Sequence, residues 1–172
     1  MRRWPAVEVI ETDRLVLEPL RVEHAAEMAP VLDDVALHRY IGGRPASVDE
    51  LSARYQQQAV GRSPDGTEGW LNWVIRCRAS GLPVGTVQAT VSRDGQRRQA
   101  ELAWVVATPC QRLGYAGEAA AGMAGWLRAC GIPLLLAHVH PEHRASERVA
   151  ERLGLAATGV VVEGETRWIS GP

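Results

Sequence analysis

The segment Gln111–Gly117 carries the strongest chemical signal in the chain, because it joins a predicted strand to a predicted helix. Gly114 and Gly117 stand where the backbone must turn and where a ligand could come close. No acidic residue lies within the segment, and Arg112 adds a positive charge. Free N–H groups at a helix N-terminus suit an anion, so the segment predicts a cradle for a phosphate or pyrophosphate. The alternative is that the glycines only permit a tight turn and close packing.

A second chemical candidate is Glu101, whose neighbours in the run Glu101–Val106 are all apolar. Because an unpaired carboxylate is costly to bury, a charge within a buried strand needs a reason. One interpretation is a general base that takes a proton from a substrate amine through water. The other is an ion pair across the sheet with an arginine such as Arg76 or Arg78.

Three histidines, His138, His140 and His143, form the pattern H-x-H-x-x-H. The first two would share one face of a strand, which is a spacing that zinc could use. The sequence identifies neither a fourth ligand nor the partners that orient metal-bound imidazoles. We therefore expect no metal, and we expect the histidines to line a site or to face solvent.

Alternating and helical hydrophobic patterns predict the elements that would position these residues. They predict strands at 15–20, 70–76, 84–91, 99–106, 134–140, 156–162 and 166–169, and helices at 22–32, 48–59, 114–130 and 144–153. The order is β-α-α-β-β-β-α-β-α-β-β, which indicates an α+β domain with a mixed sheet rather than an alternating βαβ array. The 172 residues are expected to form a single domain, residues 1–172.

Composition excludes several classes of protein. The formal charge is -1, which argues against binding to nucleic acid through phosphate contacts. Every basic residue is arginine, so a P-loop nucleotide hydrolase and imine chemistry on a lysine are excluded. Three cysteines fit no simple disulfide framework, and we expect a reducing cytoplasmic location. No apolar stretch is long enough to span a membrane, and no membrane partner is expected.

Several motifs together resemble the GNAT superfamily of N-acetyltransferases. The Gln-x-x-Gly-x-Ala pattern within Gln111–Gly117 resembles motif A of that family, and Glu101–Val106 resembles its fourth strand. The segment His140–Ser146, followed by Leu153–Leu155, is similar to its x-P-x-N-x-A-S…L-G-F pattern. Glu11–Leu17 is similar to the opening of the branch that includes ribosomal-protein N-terminal acetyltransferases. The resemblance runs from about residue 10 to residue 169.

The resemblance implies a mostly antiparallel sheet, flanked by helices and splayed at a cleft for acetyl-coenzyme A (acetyl-CoA). It implies Glu101 as the base, and backbone N–H groups around Val105 and Val106 that bind the coenzyme arm and polarise the thioester carbonyl. Ser146 matches a serine that can hydrogen-bond the coenzyme sulfur, although a serine in the first turn of a helix can instead cap backbone N–H groups. The residues expected at the coenzyme are Val105, Val106, Gln111, Arg112, Leu113, Gly114, Tyr115, Ala116, Gly117, His143 and Ser146.

Two departures from the family pattern bear on the site. His143 stands where the family has asparagine, so the usual hydrogen bond near the coenzyme arm is in question. Ala103 replaces a glycine of the fourth strand, where the family has a bulge. The expected acceptor is a primary amine. The preferred candidate is the α-amino group at a protein N-terminus. Polyamines or aminoglycosides are the alternative acceptors. The alternative function is a catalytically silent module that binds acyl-CoA. A homodimer is a possible oligomeric state.

Overall fold

The computed structural model describes residues 4–171, which form one sheet with helices on both faces. The strands are β1 (Ile10–Glu11), β2 (Leu15–Pro19), β3 (Gly69–Cys77), β4 (Pro83–Asp94), β5 (Arg97–Val106), β6 (Leu134–Val139), β7 (Leu155–Val162) and β8 (Glu165–Ser170). The helices are α1 (His24–Val31), α2 (Val35–Ile41), α3 (Val48–Gln58), α4 (Tyr115–Ala129) and α5 (Arg144–Arg152). None of these helices is long and apolar enough to cross a membrane.

The eight strands lie in the order β1-β2-β3-β4-β5-β6-β8-β7. Every neighbouring pair is antiparallel except β5 and β6, which run parallel. The predicted mixed, mostly antiparallel sheet is therefore confirmed. One core lies between the sheet and α4 and α5, and a second lies under α1 and α3.

The centre of the sheet is the meander β3-β4-β5, which the sequence predicts from its alternating apolar residues. Gly95, with φ of +59°, forms the turn between β4 and β5. Their register continues without a shift from Arg97 to Val106, so the strand has no bulge at Ala103. Strand β5 is therefore regular and is paired with β4 along its whole length.

Helix α4 lies close to the sheet because its inner face is made of small residues. Ala119, Ala120 and Ala124 are fully buried, together with Met123. A Cβ on Gly122 would come within 2.9 Å of a side-chain carbon of Thr12. This close packing determines how near the first turn of α4 lies to the sheet.

The sequence did not predict α2 or β1. Helix α2 has only seven residues and buries only Leu37, so its hydrophobic signal is weak. It begins because the Asp34 carboxylate accepts a hydrogen bond from the Ala36 N–H at 2.8 Å. The missed helix brings Tyr40 to the site, as described below.

A network of charged residues ties β2, β3 and α1 together. Arg76 donates to Glu18 at 3.0 Å and to Glu27 at 2.6 Å, and the buried His24 lies 3.2 Å from Glu18. Arg78 lies 3.4 Å from Glu11. Neither arginine pairs with Glu101, so the alternative interpretation of Glu101 as the partner of one of them is not realised.

We expect Arg76→Met to lower the free energy of unfolding by about 1–3 kcal/mol, because it leaves two partly buried carboxylates without their donor. Hydrogen bonds from Arg76 lower the pKa of Glu18 below its ordinary value of 4.5. A lowered folded-state pKa contributes stability above pH 4.5 that is lost as the pH falls through the folded-state value. Urea unfolding between pH 7 and pH 3 should therefore show a smaller pH dependence in the variant.

The matched control is Arg148→Met, which removes an exposed arginine of α5. It should leave both the stability and its pH dependence within about 0.5 kcal/mol of the wild type. Equal stability of Arg76→Met and the wild type at pH 7 would contradict the structural role of the network.

Candidate active site

The site begins where β5 and β6 stop pairing. Their parallel register joins Gln99, Ala100 and Glu101 to Leu134, Leu135 and Leu136, and it ends there. Strand β5 continues to Val106 and β6 continues to Val139 without further pairing between them. The two strands thus leave an opening with Glu101 at its apex, as the predicted splay requires.

The backbone of β5 presents one of the two predicted valines to this opening. A Cβ on Gly85 would overlap the carbonyl oxygen of Val105, so that carbonyl faces β4. The carbonyl of Val106 instead accepts a hydrogen bond from the side chain of Gln111 at 3.0 Å. Because backbone groups alternate along a strand, the N–H of Val106 is on the open side, while that of Val105 points to β4. Val105 reaches the opening through its side chain.

The cradle predicted at Gln111–Gly117 is an exposed turn followed by the first turn of α4. Arg112 and Gly114 both have positive φ, +63° and +82°, and Gly114 is the residue before the helix. Its N-cap position carries no side-chain hydrogen bond, so the first N–H groups of α4, from Tyr115 to Gly117, have no side-chain cap. Leu113 is 52% exposed, and Ala116 is half-buried. The geometry is that of an anion site.

Two arginines outside the predicted segment stand beside the cradle. Arg14 donates to the Leu113 carbonyl at 2.8 Å, and its guanidinium lies 4.8 Å from the Tyr115 ring centre. Arg152 packs over Gly117, where a Cβ would come within 2.8 Å of its guanidinium. Sequence analysis missed both, because each comes from an element distant in the chain.

The negative charge of Glu118, in the first turn of α4, is paired with the guanidinium of Arg14. Burial alone would raise its pKa, but hydrogen bonds from Thr12 and Arg14 outweigh burial and lower the pKa. These bonds measure 2.7 Å from the Thr12 hydroxyl and 2.7 Å from the Arg14 Nε. They also tie α4 to the loop between β1 and β2.

Ser146 lines the cavity that continues from the opening. It is the third residue of α5, and its hydroxyl oxygen accepts a hydrogen bond from the Trp104 indole at 3.2 Å. The helix is preceded by His143, which forms no side-chain cap. The capping alternative for Ser146 is therefore not realised, and its hydroxyl proton remains available to a ligand in the opening.

His143 stacks on Tyr40 of α2, with ring centres 4.1 Å apart and an angle of 6° between the planes. Burial lowers the pKa of His143 below its ordinary value of 6.5, and the nearby His140 acts in the same direction. His143 therefore works as a flat, neutral wall of the cleft. No sequence signal pointed to this contact, because α2 itself was not predicted.

Glu101 differs from its prediction in two ways. Its side chain is 51% exposed rather than buried, and it lies 2.8 Å from Nδ1 of His138. Both residues line a cavity of about 910 Å³ that continues from the opening beneath α2 and α3. Glu165 of β8 also lines this cavity, and burial raises its pKa above 4.5. Sequence analysis did not single out Glu165.

The histidines do not converge as a ligand set. All three line the cavity, but Nδ1 of His138 is 2.8 Å from Glu101, and the His143 ring stacks on Tyr40. Among residues 4–171, the set of three residues whose ligating atoms all lie within 4.8 Å of one another is Glu18, His24 and Glu27. Their carboxylates already accept hydrogen bonds from Arg76, as described above.

A parallel strand pair that opens beside an uncapped helix N-terminus defines an acyl-coenzyme-binding fold of the acetyltransferase type. The chain belongs to the acetyltransferase (GNAT) domain family, whose model matches residues 14–156. It is an acetyl-CoA-dependent acetyltransferase. No curated protein matches the chain significantly.

Solved structures share this fold over almost the whole chain. A GNAT-family acetyltransferase from Bordetella pertussis is 25% identical, with a TM-score of 0.70, over 94% of this chain and 97% of that one. RimL, the ribosomal L7/L12 α-N-protein acetyltransferase, solved with coenzyme A, is 16% identical, with a TM-score of 0.75, over 94% and 97%. An acetyltransferase from Salmonella typhimurium, which modifies the N-terminal serine of ribosomal protein L7/L12, is 14% identical, with a TM-score of 0.74, over 94% and 95%.

We expect Gly114→Val to weaken acetyl-CoA binding at least tenfold, which is about 1.4 kcal/mol. A branched side chain is strained at φ of +82° and would stand where the ligand must approach. Calorimetric titration with acetyl-CoA measures the change. Gly125→Val is the control, because Gly125 lies on the same helix with nothing within 4 Å of its Cβ position. An unchanged dissociation constant for Gly114→Val would show that the turn is not the anion cradle.

Proposed function

We propose that this acetyltransferase transfers the acetyl group to the α-amino group at a protein N-terminus. The fold similarity to RimL and to the Salmonella typhimurium enzyme supports this acceptor class. The opening segment Glu11–Leu17, which resembles the same branch, supports it independently of the fold. A cytoplasmic place of action, suited to the three free cysteines, is part of the proposal.

The charge of the cavity is the observation that carries this acceptor proposal. Its lining contains three carboxylates and two guanidinium groups, which belong to Glu50, Glu101, Glu165, Arg44 and Arg54. Arg44 and Glu50 form an ion pair at 2.6 Å and largely cancel each other. Two carboxylates and one guanidinium remain, a balance that suits one ammonium group. Polyamines and aminoglycosides carry several positive charges and would meet too few carboxylates.

The residues present fit acetyl-CoA, which supplies an activated thioester. A phosphate group at the cradle would meet the first N–H groups of α4 and the cations of Arg112 and Arg152. The unpaired edge of β5 offers the N–H of Val106 to an extended amide-bearing arm. Ser146 lines the cavity that continues from the opening, where its hydroxyl can donate to a developing thiolate. A thiol with a pKa of about 8.5 hardly requires a full proton donor, so this hydrogen bond is sufficient.

The acceptor amine must lose a proton before it attacks, because an ammonium nitrogen has no lone pair. Glu101 is placed for this task at the apex of the opening and on the wall of the cavity. Its negative charge stabilises the proton that the amine gives up. The retained Glu101 and Ser146 argue against a catalytically silent acyl-CoA-binding module.

The acceptor is tested by measuring coenzyme A release with a panel of amines. We expect peptides with a free N-terminus to release coenzyme A at least tenfold faster than Nα-acetylated copies of the same peptides. Spermidine and an aminoglycoside complete the panel. Turnover with these small amines alone would overturn the peptide acceptor. If acetyl-CoA raises the melting temperature but no amine turns over, the chain is a binding module instead.

We expect Glu101→Gln to lower kcat by a factor of about 10²–10⁴ with the peptide acceptor, because the negative charge that stabilises the proton given up by the amine is lost. The acetyl-CoA dissociation constant should stay nearly unchanged. Activity should recover partly at high pH, where free amine becomes abundant without help. Steady-state kinetics and calorimetry measure these effects, and the control is Glu163→Gln, an exposed carboxylate of the β7–β8 turn. A destabilised variant with near wild-type kcat would mean that Glu101 is structural.

A further inference from the structure

The contact between Glu101 and His138 joins β5 to β6 at the point where their pairing ends. Glu101 is the last residue of β5 that pairs with β6, and its partner in β6 is Leu136. His138 lies two residues beyond Leu136. The Glu101 Oε1 and the His138 Nδ1 are 2.8 Å apart. His138 is only 18% exposed, so its ring is held by its surroundings while the carboxylate remains accessible.

This contact fixes which ring nitrogen of His138 can accept a proton. An ionised carboxylate only accepts hydrogen bonds, so Nδ1 must carry the ring hydrogen. The second nitrogen, Nε2, then keeps its lone pair in the neutral ring. Within residues 4–171, Nε2 forms no hydrogen bond, and His138 lines the acceptor cavity.

We propose that His138 is the catalytic base and that Glu101 is a positioning residue which holds its tautomer and stabilises the imidazolium. The proposal rests on the proposed function and names the group that receives the amine proton. The arrangement follows the general logic of a carboxylate that orients a histidine base. It replaces a water-mediated transfer to Glu101 with a direct transfer to Nε2.

The proton balance of the step is complete without a further reactant. The acceptor ammonium gives one proton to Nε2, and its freed electron pair forms the new C–N bond at the thioester carbonyl carbon. The C–S bond then breaks, and sulfur leaves with its electron pair. Of the three original ammonium hydrogens, one stays on the amide, one ends on the thiol and one is released from His138 to solvent.

Imidazole chemistry matches an α-amino acceptor better than carboxylate chemistry does. An imidazole titrates at about pH 6.5 and an α-amino group at about 8, whereas a glutamic acid titrates at about 4.3. A general base is most effective when its pKa lies near the pH at which the enzyme works. A histidine held by a carboxylate therefore suits this reaction near neutral pH.

Other charged and titratable groups surround the His138 ring. His140, the residue after the end of β6, and Glu165 of β8 line the same cavity. Arg167 is the residue of β8 directly opposite His138 in the sheet register. Glu101 is the group within hydrogen-bond distance of the ring, so it is the one that can hold the ring in place.

The decisive variants are His138→Gln and Glu101→Gln, studied with the amine that the wild type acetylates. Glutamine at 138 can still donate to Glu101 but cannot take a proton. We expect His138→Gln to lower kcat by a factor of about 10²–10⁴ while the acetyl-CoA dissociation constant stays within about twofold. In Glu101→Gln, the acid limb of the kcat/KM profile should remain, because the proton-accepting imidazole of His138 is still present.

A His138→Ala variant gives a second measurement that does not depend on glutamine geometry. Added imidazole should restore part of its activity and should not accelerate Glu101→Gln to the same extent. Glu163→Gln is the control for loss of a surface carboxylate. His138→Gln with kcat within about threefold of wild type, or loss of the acid limb in Glu101→Gln, would overturn the proposal. A wrong acceptor does not affect this comparison, whereas a wild type that acetylates no amine would overturn the proposed function as well.

Discussion

The end of the β5–β6 pairing at Glu101 is the constraint on which the site depends. Backbone N–H and C=O groups in a protein interior need partners, and a strand edge without one is costly. The backbone groups of β5 that face β4 are paired along the whole strand, and those of β6 that face β8 pair with β8. The inner edges beyond Glu101 are left to a ligand. A ligand with amide groups can take the place of the missing strand, because it offers the same donors and acceptors.

The anion cradle is fixed to this opening by short connections. The Gln111 side chain donates to Val106 at the end of β5, so the turn before α4 cannot move independently of the strand. Glu118 accepts from Thr12 and Arg14, which fastens the first turn of α4 to the loop between β1 and β2. The helix N-terminus and the strand edge therefore form one preorganised surface, which lowers the cost of ordering on binding.

The sequence predicted the parts of the fold that depend on local patterns. The meander β3-β4-β5, the Ala-rich α4 and the strand β6 follow directly from alternating or helical apolar spacing. The turn before α4 was also predictable, because Gly114 has a positive φ that reflects local backbone geometry. Helix α2 was not, since it buries only Leu37 and gives almost no periodic signal.

The partners of the charged residues could not be derived from the sequence. Glu101 was expected to be buried, yet the splay of β5 from β6 exposes it. Its partner, His138, was expected to line a site or to face solvent, but the sequence did not indicate that it pairs with Glu101. Arg152 and Glu165 reach the site from distant segments, and only the tertiary structure brings them there. Local spacing predicts elements and turns, whereas ion pairs across strands depend on the sheet order.

The Tyr55 hydroxyl is a buried polar group beside the cavity that the described residues leave unsatisfied. Tyr55 is 4% exposed and lines the cavity, and its hydroxyl has no hydrogen-bond partner within the described residues. Burial raises its pKa to about 12, so it remains a neutral donor. An unsatisfied buried hydroxyl costs about 1–3 kcal/mol, which the packing of the Tyr55 ring in the core under α1 and α3 must offset.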